Sequence, residues 1–136
     1  MNLIIKSLNF SYENEKVFKN LNLNFKSGVL NTISGPSGSG KTTLLNLIAG
    51  LEKPSSGSII LDDVIQYDSD KFVEPENRNV GFVFQDFALF PHLNVKQNIE
   101  FSGNLNWVLF QKLTIQLSLA EHLSKYPHEL SGGQKQ

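Results

Sequence analysis

Gly35-Pro36-Ser37-Gly38-Ser39-Gly40-Lys41-Thr42 is the stretch on which the reading of this chain turns. It fits the pattern G-x-x-x-x-G-K-[ST], which carries chemistry when a strand runs into it and a helix leaves it. Both flanks are expected here. Val29 to Ser34 is a short β-rich run, and Lys41 to Ala49 sets Leu44, Leu47 and Ile48 at helical spacing before Gly50, a helix-stopping residue. Glycines at 35, 38 and 40 permit positive φ, so that successive backbone N–H groups can turn inward toward phosphate oxygens with no Cβ in the way. The free N–H groups and dipole of the following helix add to that field, Lys41 supplies a full charge, and the Thr42 hydroxyl suits Mg²⁺. The stretch implies a cradle for a triphosphate.

Working outward, Leu3 to Phe10 is apolar with polar interruptions, and Tyr12-Glu13-Asn14-Glu15 is turn-like. Val17 to Phe25 then alternates Leu21, Leu23 and Phe25 against Asn20, Asn22 and Asn24. This pattern predicts two strands of an antiparallel sheet. Ser58 to Leu61 reads as a further strand after the turn at Lys53 to Gly57, and Asp68 to Asn79 as a polar loop. Asn79 to Gln85, with Val80, Phe82, Val83 and Phe84 scarcely alternating, reads as a strand covered on both faces in a parallel sheet. From Asn94 the period becomes helical, with three capping boxes at Asn94/Gln97, Ser118/Glu121 and Ser131/Gln134. The expected organisation is a β-rich part at 1–93 followed by a helical part at 94–136. No internal repeat or low-complexity tract interrupts it.

Twelve basic and thirteen acidic side chains leave a net charge of −1, which gives no field to draw in nucleic acid or an anionic membrane surface. With 40% of its residues hydrophobic and 10% aromatic, the chain can fill a core. The absence of cysteine excludes disulfides and thiolate metal sites and fits a reducing compartment. The apolar run at the N-terminus is broken by Asn2, Lys6 and Asn9, so no signal-peptide core and no membrane span is expected. His92, His122 and His128 show no ligand-like spacing and read as surface or packing residues.

Leu130-Ser131-Gly132-Gly133-Gln134 alone is an ordinary helix entry. Placed about ninety residues after the phosphate loop, it resembles the signature of ATP-binding cassette proteins, and the resemblance runs across essentially all 136 residues. It implies an α/β P-loop NTPase fold that binds ATP with Mg²⁺. It further implies that Gly35, Ser37, Gly38, Ser39, Gly40, Lys41, Thr42 and Thr43 hold the nucleotide, and that Tyr12 stacks on its adenine. Lys41 and Gln85 would serve catalysis, and Thr42 and Gln85 would face the metal. Ser131, Gly132, Gly133 and Gln134 would meet the γ-phosphate held by a second, head-to-tail subunit. The run Asp86 to Val95 looks most like importer ATPases for polyamines, iron, sulfate or thiamine. Transmembrane permease partners and a peripheral place on the cytoplasmic face of the membrane are thus implied, with no nucleic acid.

In that family a later strand carries the Asp that supports Mg²⁺ and the Glu that polarises water, and strands from that region lie between the phosphate-loop strand and the one ending at Gln85. The sequence stops at Gln136 before them. The expectation is therefore an incomplete cassette that is poorly stable and hydrolyses ATP negligibly by itself. Its exposed edges flank Val29 to Ile33 and Val80 to Phe84. A non-hydrolysing nucleotide-binding remnant or interaction module is the alternative reading. A cassette acting on DNA or ribosomes is disfavoured by the weak charge. Asp63, where a turn glycine is usual, is a smaller departure.

Overall fold

The computed structural model describes residues 2–13, 15–101, 103 and 105–135. Asn14, in the turn expected at Tyr12 to Glu15, and Gln136, in the last expected helix, lie outside the described residues. The chain divides into two compact units, Met1–Phe82 and Val83–Gln136, each treated by itself.

The first unit is built on a four-stranded sheet of order β2-β1-β3-β4, with β1 at Leu3–Tyr12, β2 at Glu15–Phe25, β3 at Ser56–Leu61 and β4 at Val64–Tyr67. Every neighbouring pair is antiparallel. In β1 the buried positions run Leu3, Ile5, then Leu8, Phe10. That change from odd to even marks an extra residue near Ser7, which sits at φ 47° between shifted registers. One inserted residue reverses which face each later side chain meets, and the bulge keeps the apolar set inward. Asparagines stitch it together. Ser7 N–H donates to Asn22 Oδ1 at 2.9 Å, Asn9 Nδ2 to Ser7 O at 2.8 Å, and Asn20 N–H to Asn9 Oδ1 at 3.0 Å. The polar face of β2 thus supplies local hydrogen bonds as well as solvation.

Helix α1, Lys41–Ala49, buries Leu44, Leu47 and Ile48 in a core shared with Leu3, Ile5, Leu8, Phe10, Ile59, Leu61 and Tyr67. It ends as its glycine foretells. Gly50 takes φ 84°, Gly50 N–H reaches Leu47 O at 3.3 Å, and Leu51 N–H reaches Asn46 O at 2.9 Å. That pair of bonds is a Schellman stop. The β3–β4 hairpin turns through Asp62 and Asp63, both at positive φ (44° and 64°), so Asp63 accepts the left-handed backbone that glycine would take more cheaply. Tyr67 donates its hydroxyl to Pro54 O at 2.8 Å, and burial, aided by neighbouring Asp68, pushes its phenol above the usual value.

The second unit holds α2 (Val95–Glu100), α3 (Trp107–Gln116) and α4 (Gly132–Lys135), with single 3₁₀ turns at Ala120–His122 and Pro127–Glu129. The box at Asn94/Gln97 forms in both directions, at 3.0 and 2.9 Å. The segment before it is pinned by Asn98, whose Nδ2 donates to Leu93 O at 2.9 Å while its Oδ1 accepts from Phe90 N–H at 2.9 Å.

Three expectations are corrected. Val29 to Ser34 and Asn79 to Gln85 are not strands; neither enters a ladder among the described residues. Leu30 is 92% exposed and Val83 82%, because a β-rich run becomes a strand only beside another strand. Ser118 does not cap a helix with Glu121. It lies at φ 54° after α3, where Ser118 N–H to Ile115 O (3.1 Å) and Leu119 N–H to Thr114 O (2.9 Å) form a second Schellman stop. The helix runs ahead of Ser118, started instead by Asn106, whose side chain accepts from Leu109 N–H at 3.0 Å.

Arg78 closes the first unit. Its Nη1 donates to Leu47 O at 2.9 Å and Ile48 O at 2.8 Å, and Nε to Val73 O at 2.8 Å. The guanidinium also lies 5.2 Å from the Phe72 ring centroid. These bonds answer the carbonyls left over at the end of α1, where positive charge is favoured. Burial pushes the guanidinium below its usual value, against the opposite pull of Glu74, and it stays protonated. A Cβ on Gly50 would stand 2.6 Å from Arg78 Nε, so the stop and the clamp require each other. Arg78→Met should lower unfolding stability by about 2–4 kcal/mol, since it strips buried carbonyls of their donors. Urea denaturation checks this, and a change below about 0.5 kcal/mol, the level of an ordinary surface substitution, would contradict the clamp.

Candidate functional site

The loop between β2 and α1 is shaped by its glycines. Gly38 and Gly40 sit in the left-handed region at φ 80° and 87°. Gly40 is the N-cap of α1 and has no side-chain cap, so the first N–H groups of the helix are left for another partner. Ser39 N–H closes a turn onto Pro36 O at 3.3 Å. Gly35 departs from expectation, for it is not among the glycines at positive φ. Its smallness serves clearance, because a Cβ there would lie 2.9 Å from Ser39 Oγ.

Lys41 folds back across the loop. Its Nζ donates to Gly35 O at 3.0 Å, Pro36 O at 2.7 Å and Ser39 Oγ at 3.4 Å. An ammonium shared among neutral oxygens can be drawn away by an anion, since attraction between opposite full charges is then added to the hydrogen bond. Ser37 and Thr42 are exposed, and Thr43 is half-buried in the first turn of α1. The loop stands over a hollow of about 320 Å³ lined on the sheet side by Phe18, Leu21 and Leu23. Residues 35–43 are thus brought together on one short arc. Tyr12 is placed elsewhere in the unit: its hydroxyl donates to Glu52 Oε1 at 3.3 Å beyond the far end of α1, and its ring meets Phe10 edge-on at 4.8 Å.

In the second unit Gln85 is exposed in a turn whose following residues, Phe87 and Ala88, take φ 64° and 47°. Ser131 and Gln134 form the expected reciprocal cap. Ser131 N–H donates to Gln134 Oε1 at 2.9 Å, and Gln134 N–H to Ser131 Oγ at 3.4 Å. Gly132 and Gly133 have open space where a Cβ would be. Two residues with structural consequences were not legible as such. Arg78 carries no pattern linking it to α1, and His122 was read as a surface or packing residue, yet its Nε2 lies 3.0 Å from Gln134 Nε2. Among the described residues no group of three or more His, Cys, Asp or Glu could hold a metal ion, and no helix is long and apolar enough to cross a membrane.

The ABC transporter profile matches residues 18–136. The chain belongs to the ABC transporter family. It is 43% identical over 150 aligned positions to the sulfate/thiosulfate import ATP-binding protein CysA of Neisseria meningitidis, taking in 100% of this chain and 40% of that protein. The dimeric, post-hydrolysis structure of the ATP-binding cassette MJ0796 bound to ADP and Pi superposes with a TM-score of 0.73 at 33% identity, covering 98% of this chain and 65% of that one. The cbiO1 subunit of the cbiONQ complex from Clostridium perfringens gives 0.75 at 31%, covering 98% and 57%. The cassette fold is present in part, and the chain resembles import ATP-binding proteins along its whole length. It spans about two fifths of the length of CysA.

The loop's conformation can be tested without any ligand. Gly38→Ala places a Cβ in open space and bears only the left-handed strain, about 1–2 kcal/mol, offset by a few tenths from the stiffer unfolded chain. Gly40→Ala adds contacts at 2.9 Å with Phe18 Cζ and Val17 Cγ1 and should cost distinctly more. Thermal unfolding of both variants gives the ranking, and equal stability for the two would contradict the geometry.

Proposed function

We propose that residues Gly35 to Thr43 bind the triphosphate of ATP with Mg²⁺, and that the chain acts as the nucleotide-binding part of an ABC importer. The observation that carries this is the loop itself: two left-handed glycines, an uncapped helix start and a lysine held across the mouth. Bound Mg²⁺ neutralises charge on the phosphates and is the electrophilic component of the hydrolysis in which such subunits engage. Within the protein, Lys41 exchanges its carbonyl partners for phosphate oxygens, Gly38 and Gly40 keep the approach free of Cβ atoms, and Thr42 offers the metal a hydroxyl. Ser37, Ser39 and Thr43 add hydroxyl donors. Tyr12, 43% exposed, is the aromatic that resemblance to the family assigns to the adenine, and Gln85 is the amide it assigns to the metal.

Ser131 to Gln134 then meets the nucleotide of a second ABC subunit in a head-to-tail pair; the MJ0796 cassette was solved as a dimer bound to ADP and Pi. Transmembrane permease subunits complete the importer; cbiO1 is likewise part of an ABC transporter complex, cbiONQ. The chain sits peripherally on the cytoplasmic face of the membrane.

Equilibrium titration with a fluorescent ATP analogue and Mg²⁺ tests the reading. Lys41→Ala should weaken binding about 10- to 100-fold, the worth of charge-assisted hydrogen bonds, with unfolding stability little changed. Unaltered affinity would sink the proposal. Tyr12→Ala should weaken ATP by about 1–3 kcal/mol while leaving inorganic triphosphate unaffected, which isolates stacking on the base. Equal losses for both ligands would remove Tyr12 from the adenine.

A further inference from the structure

We propose that His122 is a positioning residue for Gln134: its imidazole, in the tautomer that carries the proton on Nδ1, fixes which way the Gln134 amide points. Ser131 N–H can only donate, and it lies 2.9 Å from Gln134 Oε1. The amide oxygen is therefore committed to Ser131, and the NH₂ end faces His122 Nε2 at 3.0 Å. An N–H facing a ring nitrogen makes a bond only if that nitrogen is an acceptor.

The other ring nitrogen does not decide the matter. His122 Nδ1 is buried with no hydrogen-bond partner among the described residues, so it is unsatisfied in either tautomer. A proton on Nε2 would set two donors 3.0 Å apart, whereas a proton on Nδ1 gains a bond. The nearest competitor is Glu121 Oε1, 3.6 Å from Nε2, beyond hydrogen-bond distance and on a side chain 79% exposed. Lys135 lines the same hollow of about 440 Å³ as His122 and Gln134, with Leu119 and Leu130 supplying apolar wall.

The His122 side chain is only 12% exposed, so its ring is a fixed post, whereas Gln134 is exposed and is held by Ser131 N–H at one end of its amide and by the ring at the other. The contact joins residues twelve positions apart and ties the start of α4 to the 3₁₀ turn Ala120–His122. Its bearing on nucleotide chemistry rests on the reading of Ser131 to Gln134 as the signature. The bond itself does not, and it is testable without nucleotide.

The test is the nitrogen chemical shifts of His122 in isotopically labelled full-length chain, which distinguish protonated from bare ring nitrogens. The wild type should show a proton on Nδ1 and a bare Nε2. In Gln134→Glu, one carboxylate oxygen still accepts from Ser131 N–H and the other faces the ring, so Nε2 should gain a proton. Nε2 already protonated in the wild type, or unmoved in Gln134→Glu, would overturn the proposal. Hydrogen exchange adds a second readout. His122→Leu should speed exchange of the Ser131 amide about fivefold to tenfold, the worth of one hydrogen bond. His122→Gln, which restores an acceptor near the position of Nε2, should bring it back toward wild type. Equal exchange in the Leu and Gln variants would count against positioning. Failure of the wild type to bind ATP would remove the nucleotide reading and leave these outcomes intact.

Discussion

The arrangement depends on α1 being held at both ends. At its start, Gly40 in the left-handed region turns the chain sharply into the helix and leaves the first N–H groups uncapped. At its end, Gly50 makes the same backbone excursion, and the Arg78 guanidinium covers the Leu47 and Ile48 carbonyls. Between them Leu44, Leu47 and Ile48 lie buried on the sheet. A nine-residue helix is marginal on its own in water, so its order comes from that face and those two stops. The loop before it inherits a fixed anchor. Without that anchor the main-chain groups of Ser37 to Gly40 would have no reason to share a direction.

Under the proposed function each unit carries its own part in nucleotide binding. Loop 35–43 offers an uncapped helix start with a lysine across it, while Ser131 and Gln134 satisfy each other's backbone and side-chain groups at a helix of four residues. The first is made to take an anion directly. The second is a shape held in readiness by side chains, and so the orientation of a single amide, at Gln134, carries weight there. The chain belongs to the ABC transporter family and spans 40% of CysA.

Legibility in the sequence followed the range of the interaction concerned. The helix at Lys41 to Ala49, its Gly50 stop and the caps at Asn94 and Ser131 rest on contacts within a few residues, the β1–β2 pairing on two strands consecutive in sequence, and all are found as read. Strand composition at Val29 to Ser34 and Val80 to Phe84 was also legible, but a strand is a property of a pair, and no partner strand is among the described residues. Ser118 misled because a serine three residues before a glutamate fits a helix start. The bonds instead run back to Thr114 and Ile115. The role of Gly35 was misassigned because clearance from Ser39 and freedom of φ demand the same residue. Arg78 on α1 and His122 on Gln134 span 31 and 12 positions at most, and nothing periodic announces them.

The central claim is that the backbone of the loop, stiffened by α1, presents its N–H groups to a polyphosphate. The most direct measurement is the shift of backbone amide resonances on titrating the full chain with Mg²⁺ and ATP. The account predicts saturable, downfield movement of the Gly38, Ser39, Gly40 and Lys41 amide protons at a common midpoint. Movement that fails to saturate, or that leaves those four amides in place while others respond, would contradict it.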